Sequence, residues 1–249
     1  MFALVRHYRR AQLLKRPFPE AWEGHLQRRV PFYRQLPQPE RARLRDLLKV
    51  FAWEKEWIGA RGFDVTGEVK AVVSAVAVRL VLHLGLGHYD RLSEVILYAS
   101  SFQIPETTGE ILGEAKHWGQ VILSWDSVLQ GLSDPKDGRA TATHEFAHVL
   151  DVRDGAFDGT PKLSRVSAYR PWAEVMSGHY FRLREAKRPE QRVLDDYGAK
   201  NEAEFFAVAT EAFFEKPLQM KQHTPDLYDA LRAFYGWDPA QNPPQEWET

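Results

Sequence analysis

The chain has 249 residues, a formal net charge of −1, 44% hydrophobic and 12% aromatic residues, and no cysteine. That is enough apolar material for one large domain or two intimate lobes around a packed core. The lack of cysteine excludes a disulfide scaffold and every thiolate-ligated metal site, and it points to a reducing, cytoplasmic setting.

Met1 to Val5, followed by Arg6, His7, Arg9 and Arg10, lacks the charged, apolar and small-residue succession of an export signal. Residues 1–50 carry twelve Lys/Arg against four Asp/Glu, a local +8 against −9 for the remainder. Leu44, Leu47, Leu48 and Phe51 recur at helical spacing, which predicts an amphipathic helix ending near Gly59 and Gly62. Thr66 is placed to cap the next helix, which is expected to run to Gly85 or Gly87. Arg79 and His83 interrupt its apolar stretch, so it reads as a buried core helix and not as a membrane span.

Val95–Ala99 and Gly119–Leu123 read as two short strands, separated by a loop with Pro105 and Gly109. A helix is expected over Thr143–Val152, ended by the Asp154-Gly155 turn, and then a loop with Gly159 and Pro161. Further helices are expected from about Trp172 to Lys187, over Asn201–Glu215, and from Thr224-Pro225 onward. The Pro/Gln-rich tail from Pro239 is expected to be loose. The fold class is α+β, mostly helical, with a small β-sheet next to the helix at residues 143–152.

That helix carries His144-Glu145-Phe146-Ala147-His148. An α-helix places i and i+4 on one face about one turn apart, so His144 and His148 can ligate a single ion. Glu145 stands roughly 100° round the helix from His144 and can serve as a base without being a ligand. This His-Glu-x-x-His pattern is the signature of zinc hydrolases. Asp151 shares the ligand face and reads either as a support for a ligating ring or as an ordinary charge in the last turn.

A catalytic zinc needs a third protein ligand and one open position. Asp151 and Asp154 stand where a longer motif would need a glycine and a third histidine, so a glutamate on a later helix remains. In the Asn201–Glu215 segment, Glu204 and Glu211 share one stripe beside Phe205, Phe206 and Phe213. Burying an unpaired carboxylate is costly, and a metal would account for either one. Spacing does not choose between them.

The motifs His144 to Asp151 and Tyr197-Gly-Ala-Lys-Asn-Glu-Ala-Glu-Phe-Phe-Ala207, with Glu94–Tyr98 and Gly119–Trp125 in support, resemble the Mlc titration factor A family of bacterial zinc metallopeptidases. The catalytic part of that family is similar to that of anthrax lethal factor. The resemblance implies that His144, His148 and Glu204 bind Zn2+ and that Glu145 activates a zinc-bound water to hydrolyse peptide bonds. It makes Glu211 a supporting residue or a core-edge carboxylate. Tyr197, by the same resemblance, faces the metal and hydrogen-bonds the developing oxyanion; otherwise it packs on the Phe-rich helix. Val208 stands where some zinc peptidases carry an acidic residue that supports a histidine, so Asp151 or Glu211 is expected to take that part.

The expected organisation is a basic helical region over 1–90 packed on a metallopeptidase region over 91–238, with a tail at 239–249. Gln120–Ser124 reads either as an edge strand that holds a peptide substrate by strand addition or as a fully paired inner strand. The resemblance also implies a second function, capture of a transcriptional repressor, for which the basic N-terminal half offers a surface. No docking motif accompanies that charge, so direct nucleic-acid binding is not expected.

Overall fold

The computed structural model describes residues 2–100, 119–134, 137–152, 157–185 and 193–242. The expected features at Pro105, Gly109, Asp154, Gly155 and Lys187 lie outside the described residues.

The N-terminal third is helical: α1 (Phe2–Lys15), α2 (Glu20–Arg29), α3 (Pro31–Gln35) and α4 (Gln38–Glu54). In α4, Leu44, Leu48 and Phe51 are buried at i, i+4 and i+7, so one stripe faces the core. The helix stops at Glu54, short of the expected Gly59. Lys55 turns extended, and its buried ammonium donates to the carbonyls of Tyr89 and Leu92 at 2.8 and 2.6 Å. The next four residues form strand β1 (Glu56–Gly59), a third strand beside the two expected.

Thr66 caps α5 (Gly67–Leu80) as expected, its hydroxyl accepting from Val69 N at 3.3 Å. From Ala71 to Leu80 every residue is buried, which accounts for the predominance of Val and Ala there. It ends at Leu80 and not at Gly85 or Gly87. Val81 leaves the helical region there, and Gly85, at φ +82, marks a later turn.

Strands β2 (Glu94–Tyr98) and β3 (Gln120–Ser124) complete a parallel sheet in the order β1-β2-β3, with Trp57 opposite Val95 and Val95 opposite Val121. Val95, Leu97, Val121 and Leu123 point into the core while their neighbours are half-buried, the period-2 alternation of a one-sided sheet. Among the described residues β3 is paired only on its β2 side, so it is an edge strand.

Helices α6 (Trp125–Ser133), α7 (Thr141–Asp151), α8 (Tyr169–Glu185), α9 (Glu202–Glu215), α10 (Pro217–His223) and α11 (Pro225–Tyr235) follow. One hydrophobic core extends from Trp22 to Tyr235. Phe51, Tyr89 and Phe146 meet edge to face with centroids 5.5–6.0 Å apart, joining α4 to α7. Phe213 and Phe214 of α9 pack on Tyr235 of α11 at 5.4 and 5.1 Å. Helix α7 is thus held between the sheet side and α9. Pro239–Gln241 form a turn tied by Ala240 N to the Tyr228 hydroxyl at 3.1 Å, and 243–249 lie outside the described residues. Among the described residues no helix is long and apolar enough to cross a membrane.

Candidate metal centre

Helix α7 buries Phe146, Ala147 and Leu150 and turns His144 and His148 toward α9. On α9 the Asn201 side chain caps the first turn, accepting from Glu204 N at 2.8 Å, and so fixes where Glu204 sits. Glu204 Oε2 lies 2.9 Å from His144 Nε2 and 3.2 Å from His148 Nε2, and the two Nε2 atoms are 3.1 Å apart. Donors around a tetrahedral ion of zinc's size, with bonds of about 2.0–2.1 Å, stand roughly 3.3 Å apart. The three observed separations are close to that spacing. His144, His148 and Glu204 form a group able to hold one metal ion.

The donor chemistry agrees. His144 Nδ1 is 3.1 Å from Glu211 Oε2, so with Nδ1–H donating there the Nε2 lone pair faces His148 and Glu204. Two imidazole nitrogens and a carboxylate oxygen converging at this range repel one another unless a cation or a proton lies between them. Burial opposes charge on His144, but hydrogen bonds to Glu204 and Glu211, with the Glu211 and Glu145 carboxylates, push it up to about 9. Burial likewise opposes ionisation of Glu204, yet the two histidines hold its carboxyl well below the usual range.

Glu211 takes one of the two parts foreseen for it. Its Oε1 accepts from Ala140 N at 2.8 Å, so a single carboxylate holds both the start of α7 and the back of the His144 ring. Asp151, fully buried, accepts from Gly159 N at 3.0 Å and secures the segment that follows α7. Sequence reasoning missed Phe157, whose ring lies 4.9 Å from that of His148. A lone aromatic in a loop gives no periodic signal. Glu145 is half-buried on α7. Tyr197 sits on a 3-10 turn fixed by Asp195, which accepts from Tyr197 N at 2.9 Å and pairs with Arg139 at 2.9 Å. Its ring is half-exposed and 5.8 Å from that of His144.

A mostly helical α+β chain with a His-Glu-x-x-His helix and a carboxylate converging from a second helix defines a metallopeptidase-like protein. Residues 5–236 match the family model of the glucose-regulated metallo-peptidase M90, and the chain belongs to that family. It is 37% identical to an uncharacterized protein of Synechocystis sp., over 94% of this chain and 90% of that one. It is 27% identical to Mlc titration factor A of Pectobacterium atrosepticum, over 88% of this chain and 87% of the relative. With Mlc titration factor A of Yersinia pestis it shares 27% identity, over 87% of this chain and 89% of the relative.

Proposed function

We propose that this chain is a cytoplasmic zinc peptidase that hydrolyses peptide bonds. The observation that carries the reading is the convergence of His144, His148 and Glu204 on one point, with Glu211 behind the His144 ring. In this reading those three residues hold Zn2+, which when bound supplies Lewis acidity to water and to the scissile carbonyl. Glu145, next to His144 on α7, accepts the proton of the attacking water and returns it to the leaving amine. The Tyr197 hydroxyl donates to the oxyanion as its charge develops. The edge of β3 that is unpaired among the described residues, on a strand that packs on α7, holds the substrate backbone as an added strand.

Glu145→Gln tests the reading, since it removes the base without touching a ligand. The variant is expected to keep its zinc, measured by elemental analysis, and to lose about 10²–10⁴-fold in cleavage of a peptide library. Undiminished cleavage would refute the role of Glu145.

A second reading rests on the relatives named Mlc titration factor A and on the basic N-terminal half. There the chain captures a transcriptional repressor, with or without hydrolysis. Repressor capture that survives Glu145→Gln, in a protein that cuts no peptide, would favour this reading over the first.

A further inference from the structure

A groove of about 660 Å³ lies between α8, α11 and the segment 162–168, and none of its lining residues belongs to the His144, His148, Glu204 group. Its floor is apolar, with Leu163, Trp172, Val175, Ala230 and Phe234. Sites for small organic ligands have this character and volumes of about 300–1,000 Å³.

The charges on its rim differ in their commitments. Asp226 accepts from His179 Nε2 at 2.8 Å and lies 3.7 Å from Arg182, and Asp229 lies 3.0 Å from Arg232. Both acids are therefore engaged by groups outside the groove. Lys162 and Arg165, on the opposite rim, are exposed and form no ion pair among the described residues. Of the four Lys, Arg and Asp side chains lining the groove, only the two cations are without an ion-pair partner among the described residues. Trp172, only 3% exposed, has an indole N–H with no acceptor among the described residues.

We propose that this groove binds a small amphipathic organic anion, an apolar body ending in a carboxylate. The body rests on Trp172, Val175 and Phe234, and the carboxylate meets Lys162 and Arg165. A carboxylate suits this rim because the acids that would repel it are already paired. The segment bearing both cations runs back to Gly159, fixed to Asp151, and to Phe157 against His148, so a ligand held there bears on a short anchored stretch leading to the metal helix.

Isothermal titration calorimetry of the full-length, zinc-loaded protein tests this, with octanoate as the probe and octanamide as its uncharged counterpart. Octanoate is expected to bind saturably, at one site, at least about tenfold tighter than octanamide. The double charge reversal Lys162→Glu with Arg165→Glu, at exposed positions that leave the core untouched, is expected to weaken octanoate at least about tenfold and to spare octanamide. Val175→Trp, checked for folding by thermal melting, fills the groove and is expected to abolish both. Equal affinity for acid and amide, octanoate binding that ignores the charge reversal, or no saturable binding would overturn the proposal. Binding of a peptide with a free C-terminal carboxylate where octanoate fails would also overturn it, since the occupant would then be a chain end.

Discussion

His144 Nδ1 and Glu211 Oε2 stand 3.1 Å apart, while Nε2 of the same ring faces Glu204 at 2.9 Å. Helix α9 thus engages both nitrogens of one imidazole with carboxylates seven residues apart. Such a partner fixes the tautomer and the orientation of a ligating ring. Glu211→Ala is therefore expected to lower zinc affinity about 10–100-fold while Glu204 stays in place. Competition with a chelator reads this directly, and unchanged affinity would remove the positioning role.

Glu204→Ala is expected to be the more severe change, because in the proposed reading it deletes a ligand and not a support. Zinc affinity should fall by more than the roughly 100-fold expected for a supporting residue. It also leaves the two Nε2 atoms, 3.1 Å apart, without the carboxylate oxygen that lies 2.9 and 3.2 Å from them. Full zinc occupancy in Glu204→Ala, with loss in Glu211→Ala, would move the third ligand to Glu211.

The ring pair was legible in the sequence because i, i+4 on a helix is a fixed geometry, and so was the carboxylate stripe on α9. Spacing alone left Glu204 and Glu211 equivalent, since seven residues bring a helix almost back to the same face. What separates them is the rotation of the His144 ring between them, a property of the packed α7–α9 pair and not of either helix alone. Strand β1 was illegible for a related reason. Glu56-Trp-Ile-Gly59 is four residues long and follows a helix directly, and its parallel partner Glu94–Leu97 is distant in sequence. The groove lined by Trp172 and Phe234 joins segments whose polar residues look like ordinary solvated charge until their partners are seen.

Lys55 gives the fold a pH dependence of predictable sign. Burial, opposed by the Glu54 carboxylate, pushes its ammonium down to about 8 from an ordinary 10.5. Between those values the unfolded chain binds a proton that the folded chain does not. Stability from this group therefore rises as pH climbs from about 8 to 10.5, and the cost of burying the charge is fully present below 8. The melting temperature of Lys55→Met relative to wild type is expected to decline by roughly a few degrees across that window. A difference that stays flat with pH would show that Lys55 is not titrating there.

Gly159 couples the segment after α7 to the start of α9. Its φ is +75, and a Cβ there would come within 2.3 Å of the Glu202 carbonyl oxygen and 3.3 Å of Ala203 N. Both atoms are backbone and cannot swing aside, and the left-handed conformation itself disfavours any other residue. Its own N–H is meanwhile held by Asp151 at 3.0 Å, so the segment cannot retreat without giving up a buried hydrogen bond. Gly159→Ala must then push on the first turn of α9, two residues before Glu204. A loss of about 1–3 kcal/mol in stability is expected from the strained backbone. A fall in zinc affinity should accompany it, because the displaced turn carries Glu204, a ligand in the proposed reading. Denaturant melts of the metal-free variant and chelator competition of the loaded one separate the two effects. Lost stability with unaltered zinc affinity would mean that α9 is positioned by Asn201 and its own packing, and that the segment at Gly159 only rests against it.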